Sequence, residues 1–138
     1  MKVNQTKIKV RYVETDQMGI AHHSNYFPWF EVGRSEFVNE LGMAYSEMER
    51  KGVFLPLIEC GCRFKVPAKY EDEIIIKTYI EQFEPVKIRF KYEVIRESDF
   101  KLLAEGFTLH AFVDETFKPI ILKKKNSEVW NILCSGIE

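Results

Sequence analysis

No stretch of the chain approaches the roughly 20 consecutive apolar residues that a membrane-spanning helix requires. Residues 1–10 alternate lysine with apolar side chains and lack the unbroken apolar centre of a secretory signal. A cytoplasmic protein with no integral membrane segment is the expectation. An excess of either charge is also missing, since 20 Lys and Arg against 21 Asp and Glu leave a formal net charge of −1. Net charge therefore gives no argument for nucleic-acid binding. No basic patch interleaved with aromatics and no recognition-helix pattern stands out either. Cysteine is scarce: Cys60, Cys62 and Cys134 fit free thiols in a reducing compartment. Cys60 and Cys62 share a face if they lie on a strand, which is a poor start for a four-ligand zinc site. They are expected to be core thiols. Repeats, low-complexity tracts and linkers are absent as well.

What is present is a chain of 138 residues, 46% hydrophobic and 14% aromatic, enough for one domain over residues 1–138 with a substantial core. Residues 6–13 alternate Ile8, Val10 and Tyr12 with Lys7, Lys9 and Arg11, which predicts a strand with one buried face. Residues 17–23 read as a loop around Met18-Gly19. Ser24 or Asn25 can cap the helix that follows, and Pro28 is tolerated in its first turn. Tyr26, Phe30, Gly33, Phe37 and Leu41 recur at helical spacing, and Gly42 is a natural stop. Gly33 inside this stripe suggests close packing against a neighbouring element. A short helical piece, 45–51, ends at Gly52.

Four alternating segments then predict strands over 56–65, 74–81, 87–94 and 102–113, with Phe117 to Leu122 as a candidate extension. Turn signals at Glu84-Pro85 and Ser98-Asp99 make the last three an antiparallel meander. Residues 124–135 read as a terminal helix. The order implies an α+β fold, one long helix packed on an antiparallel sheet of about five strands, with a short C-terminal helix. A single helix leaves sheet edges and apolar surface uncovered, which favours a homo-oligomer.

The chemistry concentrates between Glu14 and Arg34. Hydrolysis of a thioester carbonyl needs an attacking or water-activating group and N–H donors aimed at the developing oxyanion. Asp16 can serve as nucleophile or general base. The helix start near His23 supplies backbone N–H groups and the positive end of the helix dipole. Gly19 gives a flexible link between them.

The segment R-Y-V-E-T-D-Q-M-G-I-A-H-H-S-N-Y-F-P-W-F-E resembles the hotdog-fold acyl-CoA thioesterases of the 4-hydroxybenzoyl-CoA type. Among these it is most similar to the short-chain, Tol–Pal-associated branch, whose pattern is Y-x-D-T-D-x-x-G-x-x-x-H-x-x-Y. Tyr12, Thr15, Asp16, Gly19, His23 and Tyr26 match; Glu14 replaces an Asp and keeps the charge. The resemblance spans the chain in element order and length, while its specific motif occupies residues 11–34. It implies a hotdog fold with a curved sheet wrapping the helix. It also implies dimers with sheets side by side, sites at the dimer interface, and common tetramers. It implies Asp16 as the catalytic carboxylate and the His23 backbone N–H as the group polarising the carbonyl, with its imidazole orienting water or thiolate. Tyr26 and Glu31 would line the site or steady the helix, with Gly19 on the substrate side. Acyl-CoA is the implied substrate, with no metal or redox cofactor. Arg63, Lys65 and the run Lys123-Lys124-Lys125 are candidate contacts for coenzyme A phosphates.

Other readings stay open on the residues alone. An acyl-carrier-protein thioesterase would use the same chemistry on a different handle. A hotdog hydratase resembles D-x-x-x-x-H with Asn-Pro between, whereas Gln17-Met18-Gly19 follows Asp16 here. A non-catalytic acyl-CoA-binding domain would not need Asp16. Asp16 could simply end the first strand, His22 could be a neighbour without a role, and Tyr26 could be core. Glu31 could pair with Arg34 or Ser35 on the helix surface. His110 reads as a satisfied structural histidine. Phe27, Trp29 and Phe30 read as core packing, with an acyl tunnel as the alternative.

Overall fold

The structure, a computed structural model, describes residues 1–138. Alternating segments become strands β1 (Asn4–Lys9), β2 (Leu57–Phe64), β3 (Glu73–Phe83), β4 (Lys87–Arg96) and β5 (Leu102–Ala111). They form one antiparallel sheet in the order β1-β3-β4-β5-β2. The long helix α1 (Tyr26–Leu41) packs across β1, β3 and β4, and α2 (Tyr45–Arg50) follows it. Two short helices, α3 (Leu122–Lys125) and α4 (Ser127–Cys134), close the chain. This is the hotdog architecture that the resemblance implies.

The core lies where the period-two faces of β3 and β4 meet the helical stripe. Ile74, Ile76, Thr78, Ile88, Phe90, Tyr92 and Val94 are completely buried. Phe30 of α1 stacks on Tyr92 with ring centres 4.5 Å apart. Gly33 faces β3 directly. A Cβ there would come within 2.8 Å of Ile76 Cγ2 and closer still to Thr78 Oγ1. The close approach predicted for this glycine is thus to β3 side chains.

Several boundaries differ from the sequence prediction. The first strand stops at Lys9, not residue 13, and Tyr12–Glu14 form a 3-10 turn. The Glu14 carboxylate accepts the Arg11 N–H at 2.8 Å and winds the chain out of the ladder. Tyr12, assigned to the buried face by alternation, is 75% exposed. Strand β2 has no buried face. It is an edge strand, and α1 meets it only at its end, where Tyr26 packs against Phe64. Cys60 is accordingly exposed, and Cys62 and Cys134 are only half-buried, so the cysteines are not core thiols. Residues 117–122 add no strand. Only Val113 bridges Pro119, which has no N–H to continue a ladder. The terminal helix is split, because the Asn126 side chain accepts the Val129 N–H and starts α4 afresh. No helix is long and apolar enough to cross a membrane.

Candidate active site

The loop between β1 and α1 is tied down by Glu14. Its carboxylate accepts the Trp29 indole N–H at 3.0 Å and the Arg11 guanidinium at 3.3 Å, besides the Arg11 backbone N–H. Burial works against the charge. The bonds from Arg11 and Trp29 prevail and hold the carboxyl below its ordinary range. The Glu14 backbone carbonyl accepts the His22 N–H at 2.8 Å and the Asn25 side-chain amide at 2.9 Å. One residue therefore fastens both ends of the loop to the helix start. Its sequence signal was only the acidic position of the motif, and the Trp29 partner sits 15 residues away.

Between these anchors the chain makes a tight turn. Asp16 N–H donates to the Ile20 carbonyl, and the Gly19 N–H donates back to the Asp16 carbonyl, each at 2.9 Å. Gly19 holds φ at +78°, which a side chain rarely allows. The Asp16 carboxylate accepts the Met18 N–H through Oδ1 at 2.9 Å. Its Oδ2 makes no bond within the protein.

The helix start is capped differently from the sequence prediction. His22 Nδ1 accepts the Ser24 N–H at 3.2 Å and pairs with Ser24 Oγ at 2.8 Å. Asn25 makes no side-chain cap and instead binds the Glu14 and His22 carbonyls. The 3-10 turn His23–Asn25 leads directly into α1. Its Asn25 N–H goes to the His22 carbonyl, whereas none of the loop bonds takes the His23 N–H. His22 thus has a capping role rather than none.

Asp16, His23, Tyr26 and Lys65 line one hollow of about 240 Å³, together with Phe64 and Val66. Tyr26 and His23 meet the Phe64 ring edge-on, at 4.9 Å and 6.4 Å. Burial raises the Tyr26 phenol above its ordinary value, so it stays protonated. Lys65 also pairs with Glu105 at 3.6 Å. Phe64, invisible to motif reasoning, enters because β2 ends beside the helix start.

Not every predicted residue joins this hollow. Gly19 rims a second one, about 720 Å³, on the other side of the Asp16 turn with Tyr12 and Tyr70. Arg63 faces a third with Lys91 and Glu105, on the outer side of the sheet. Glu31 lines a fourth with Arg34 and His110, and pairs with neither Arg34 nor Ser35. Lys123, Lys124 and Lys125 form the exposed face of α3. His110 is buried and bonded at both ring nitrogens, as a structural histidine should be. Trp29 and Phe30 are core, and Phe27 packs against it.

The sequence profile of the thioesterase-like superfamily matches residues 10–123, nearly the whole domain described above. The chain belongs to that superfamily. This thioesterase is 39% identical over 125 residues to a putative acyl-CoA thioesterase, YneP, from Bacillus subtilis, covering 90% of each chain. It is 23% identical to the acyl-CoA thioesterase YbgC of Haemophilus influenzae over 86% of this chain and 87% of that one. A DHNA-CoA thioesterase from Staphylococcus aureus superposes with a TM-score of 0.91 at 32% identity, covering 98% of this chain and 91% of that one. The thioesterase described here is thus an enzyme of thioester hydrolysis with the hotdog fold.

Proposed function

We propose that the protein hydrolyses acyl-CoA thioesters to a free acid and coenzyme A in the hollow between the Asp16 turn and the start of α1. One observation carries this reading: Asp16 and His23 line the same hollow, with a carboxylate oxygen and a backbone N–H both free of protein partners. In the general-base form, Asp16 takes a proton from water while the water oxygen attacks the thioester carbonyl carbon. The carbonyl oxygen gains negative charge facing the His23 N–H at the positive helix end. The C–S bond then breaks, and the thiolate leaves with a proton returned from Asp16. In the nucleophilic form, the Asp16 carboxylate attacks the carbonyl carbon, the C–S bond breaks and coenzyme A leaves as thiolate, and water then cleaves the resulting anhydride to release the acid and restore Asp16. Tyr26 and Phe64 supply the apolar wall, and Lys65 stands at the rim to meet negative charge on coenzyme A.

The motif Tyr12, Thr15, Asp16, Gly19, His23 and Tyr26 supports placing the protein in the 4-hydroxybenzoyl-CoA type, beside the Tol–Pal-associated short-chain branch. We take residues 1–138 as one catalytic domain working in the cytoplasm. The exposed outer edge of β2 supports a homo-oligomer. Leu57, Ile58 and Phe64 are 54%, 57% and 50% exposed on a strand with unpaired backbone groups. Pairing two β2 strands would continue the sheet and bring a second subunit over the Asp16 hollow, which Phe64 lines. Ile58→Lys should shift the oligomer toward monomer in sedimentation velocity; an unchanged coefficient would rule this edge out.

Thiol release from a panel of acyl-CoA substrates tests the reaction. Asp16→Asn should lose most of the rate with its circular dichroism unchanged; full activity in that variant would sink the mechanism. Competition between acyl-CoA and acyl-carrier-protein substrates decides the handle.

A further inference from the structure

The chain between β2 and β3, residues 65–72, supplies part of the wall of the Asp16 hollow through Lys65, Val66 and Pro67. It also fastens the segment that carries Asp16 on both sides of the turn. Before the turn, the Val10 N–H donates to the Asp72 carbonyl at 2.9 Å, and the Glu71 N–H donates to the Val10 carbonyl at 3.0 Å. After it, the Ala21 N–H donates to the Ala68 carbonyl at 2.8 Å, and Ile20 bridges Lys69. Ala21 in turn bridges Thr15, and the Ile20 carbonyl accepts the Asp16 N–H. The place of Asp16 therefore depends on the place of residues 67–72.

Those residues do not hold themselves. Glu71 sits at a φ of +70°, a left-handed conformation that a side chain disfavours and that surrounding contacts must impose. Arg96, the last residue of β4, supplies the outside support. Its Nη2 donates to the Pro67 carbonyl at 2.8 Å, and its Nε donates to Asp72 Oδ2 at 3.1 Å. The same Asp72 oxygen accepts the Lys69 N–H at 2.9 Å and closes the 69–72 turn. Nη1 goes elsewhere, to Asp99 Oδ2 at 3.1 Å in the turn after β4. The Arg96 and Asp72 side chains are 14% and 21% exposed, so their pair is largely shielded from water. A rigid fork grips a carbonyl and a carboxylate at a fixed separation, whereas a lysine ammonium offers its donors from one point.

We propose that Arg96 is a positioning residue for thioester hydrolysis, bracing residues 67–72 so that they hold the Asp16 carboxylate in place beside its hollow. The proposal rests on the reading of Asp16 as the hydrolytic carboxylate. The route is short: Arg96 to the Pro67 carbonyl, Ala68 to Ala21, and Ile20 to Asp16, each one hydrogen bond between adjacent residues of the chain. Arg96 lines neither hollow beside Asp16, so it acts by placement alone. Placement matters because a reacting group displaced by about 1 Å can lose roughly 10²-fold in rate.

Arg96→Lys keeps the charge and loses the fork. Thiol release from acyl-CoA, measured on the intact protein well below its melting temperature, should show kcat lowered about tenfold or more, with circular dichroism unchanged. Asp72→Asn should lose a similar factor, and the double variant no more than either alone. Asp99→Asn removes the charge from the one partner outside residues 67–72 and should keep the wild-type kcat. In an Asp16→Asn background, Arg96→Lys should change the residual rate by less than about twofold, because no carboxylate is left to place. Native-state hydrogen exchange gives a readout besides activity. The Ala21 and Val10 amides should exchange faster in Arg96→Lys, while those of Phe90 and Tyr92 in β4 keep their rates. A lower melting temperature with wild-type kcat would make Arg96 a stabilising residue only and overturn the proposal. So would an undiminished rate loss in the Asp16→Asn background, or unchanged exchange at Ala21. If Arg96→Lys fails to fold, Asp72→Asn decides by the same measurements. A wild type that releases no thiol from any acyl-CoA would defeat the proposed function; faster Ala21 exchange in the variant would then still establish the brace, and unchanged exchange would overturn it.

Discussion

Two polar clusters sit against α1, one at its start and one at its middle, and their hydrogen bonds are distributed in opposite ways. At the start, Glu14 absorbs three donors so that its neighbours need not. Asp16 keeps Oδ2 unbonded and the loop leaves the His23 N–H unclaimed. In the middle, Tyr92, Thr108 and His110 pass their protons along one chain, and the Arg34 Nε and the Tyr45 hydroxyl are left without partners. The lesson is that reactivity follows the groups left unsatisfied, and that each such group is held by a saturated neighbour. Glu14 does this for Asp16, and His110 with Thr108 for Arg34.

Breaking the first cluster at its free group should have the largest effect. Asp16→Asn is expected to lower kcat by roughly 10² to 10⁴, the usual contribution of a positioned acid–base group, with little change in melting temperature. A loss of stability comparable to the loss of rate would mean that Asp16 is structural, like Glu14.

The second cluster predicts a pH dependence of stability. His110 has a folded pKa of about 4 against an ordinary 6.5. Below pH 6.5 the unfolded chain takes up the proton and the folded chain does not, so stability falls as pH drops and levels off below about 4. The full effect is about 3 kcal/mol. Urea denaturation of the wild type and His110→Gln between pH 7 and pH 4 should show this slope in the wild type and a shallower one in the variant.

Glu14 sharpens the comparison at its saturated side. Glu14→Gln keeps the shape and removes the charge from three hydrogen bonds, and should cost about 2 kcal/mol. Because the folded pKa of Glu14 is depressed, its contribution is present above the ordinary carboxyl value and is lost as pH falls through the folded one. Chemical denaturation at neutral pH measures the first effect. An equal loss of kcat without loss of stability would move Glu14 into the chemistry. The smallest effect belongs to the surface: Ser24→Ala removes one exposed partner of His22 and should cost under about 1 kcal/mol, read as a small drop in melting temperature.

Much of the architecture was legible in the chain. Alternation in β3 and β4 named the buried face residue by residue, because those strands are central and one face meets α1. The same alternation in β2 misled, since an edge strand beyond the helix buries neither face, whatever its period. The Tyr12 error has a similar cause. Period two continued past Lys9, but a carboxylate three residues on captured the Arg11 N–H and turned the chain. Asp16 and His23, paired by the motif, line one hollow because both lie on one short loop. The motif could not place Arg63 or Glu31, whose hollows depend on which neighbours the sheet and helix bring.

Local spacing alone was enough to specify the strands, the helix stripe with Gly33 in it, and the loop that carries Asp16 to the helix start, since all of these depend on neighbours within a turn or a strand. Folding in three dimensions decided the rest. It set Trp29 against Glu14, ended β2 beside Tyr26, and left Arg34 without a carboxylate, because those contacts join residues far apart in the chain and their energies depend on burial that no short segment can report.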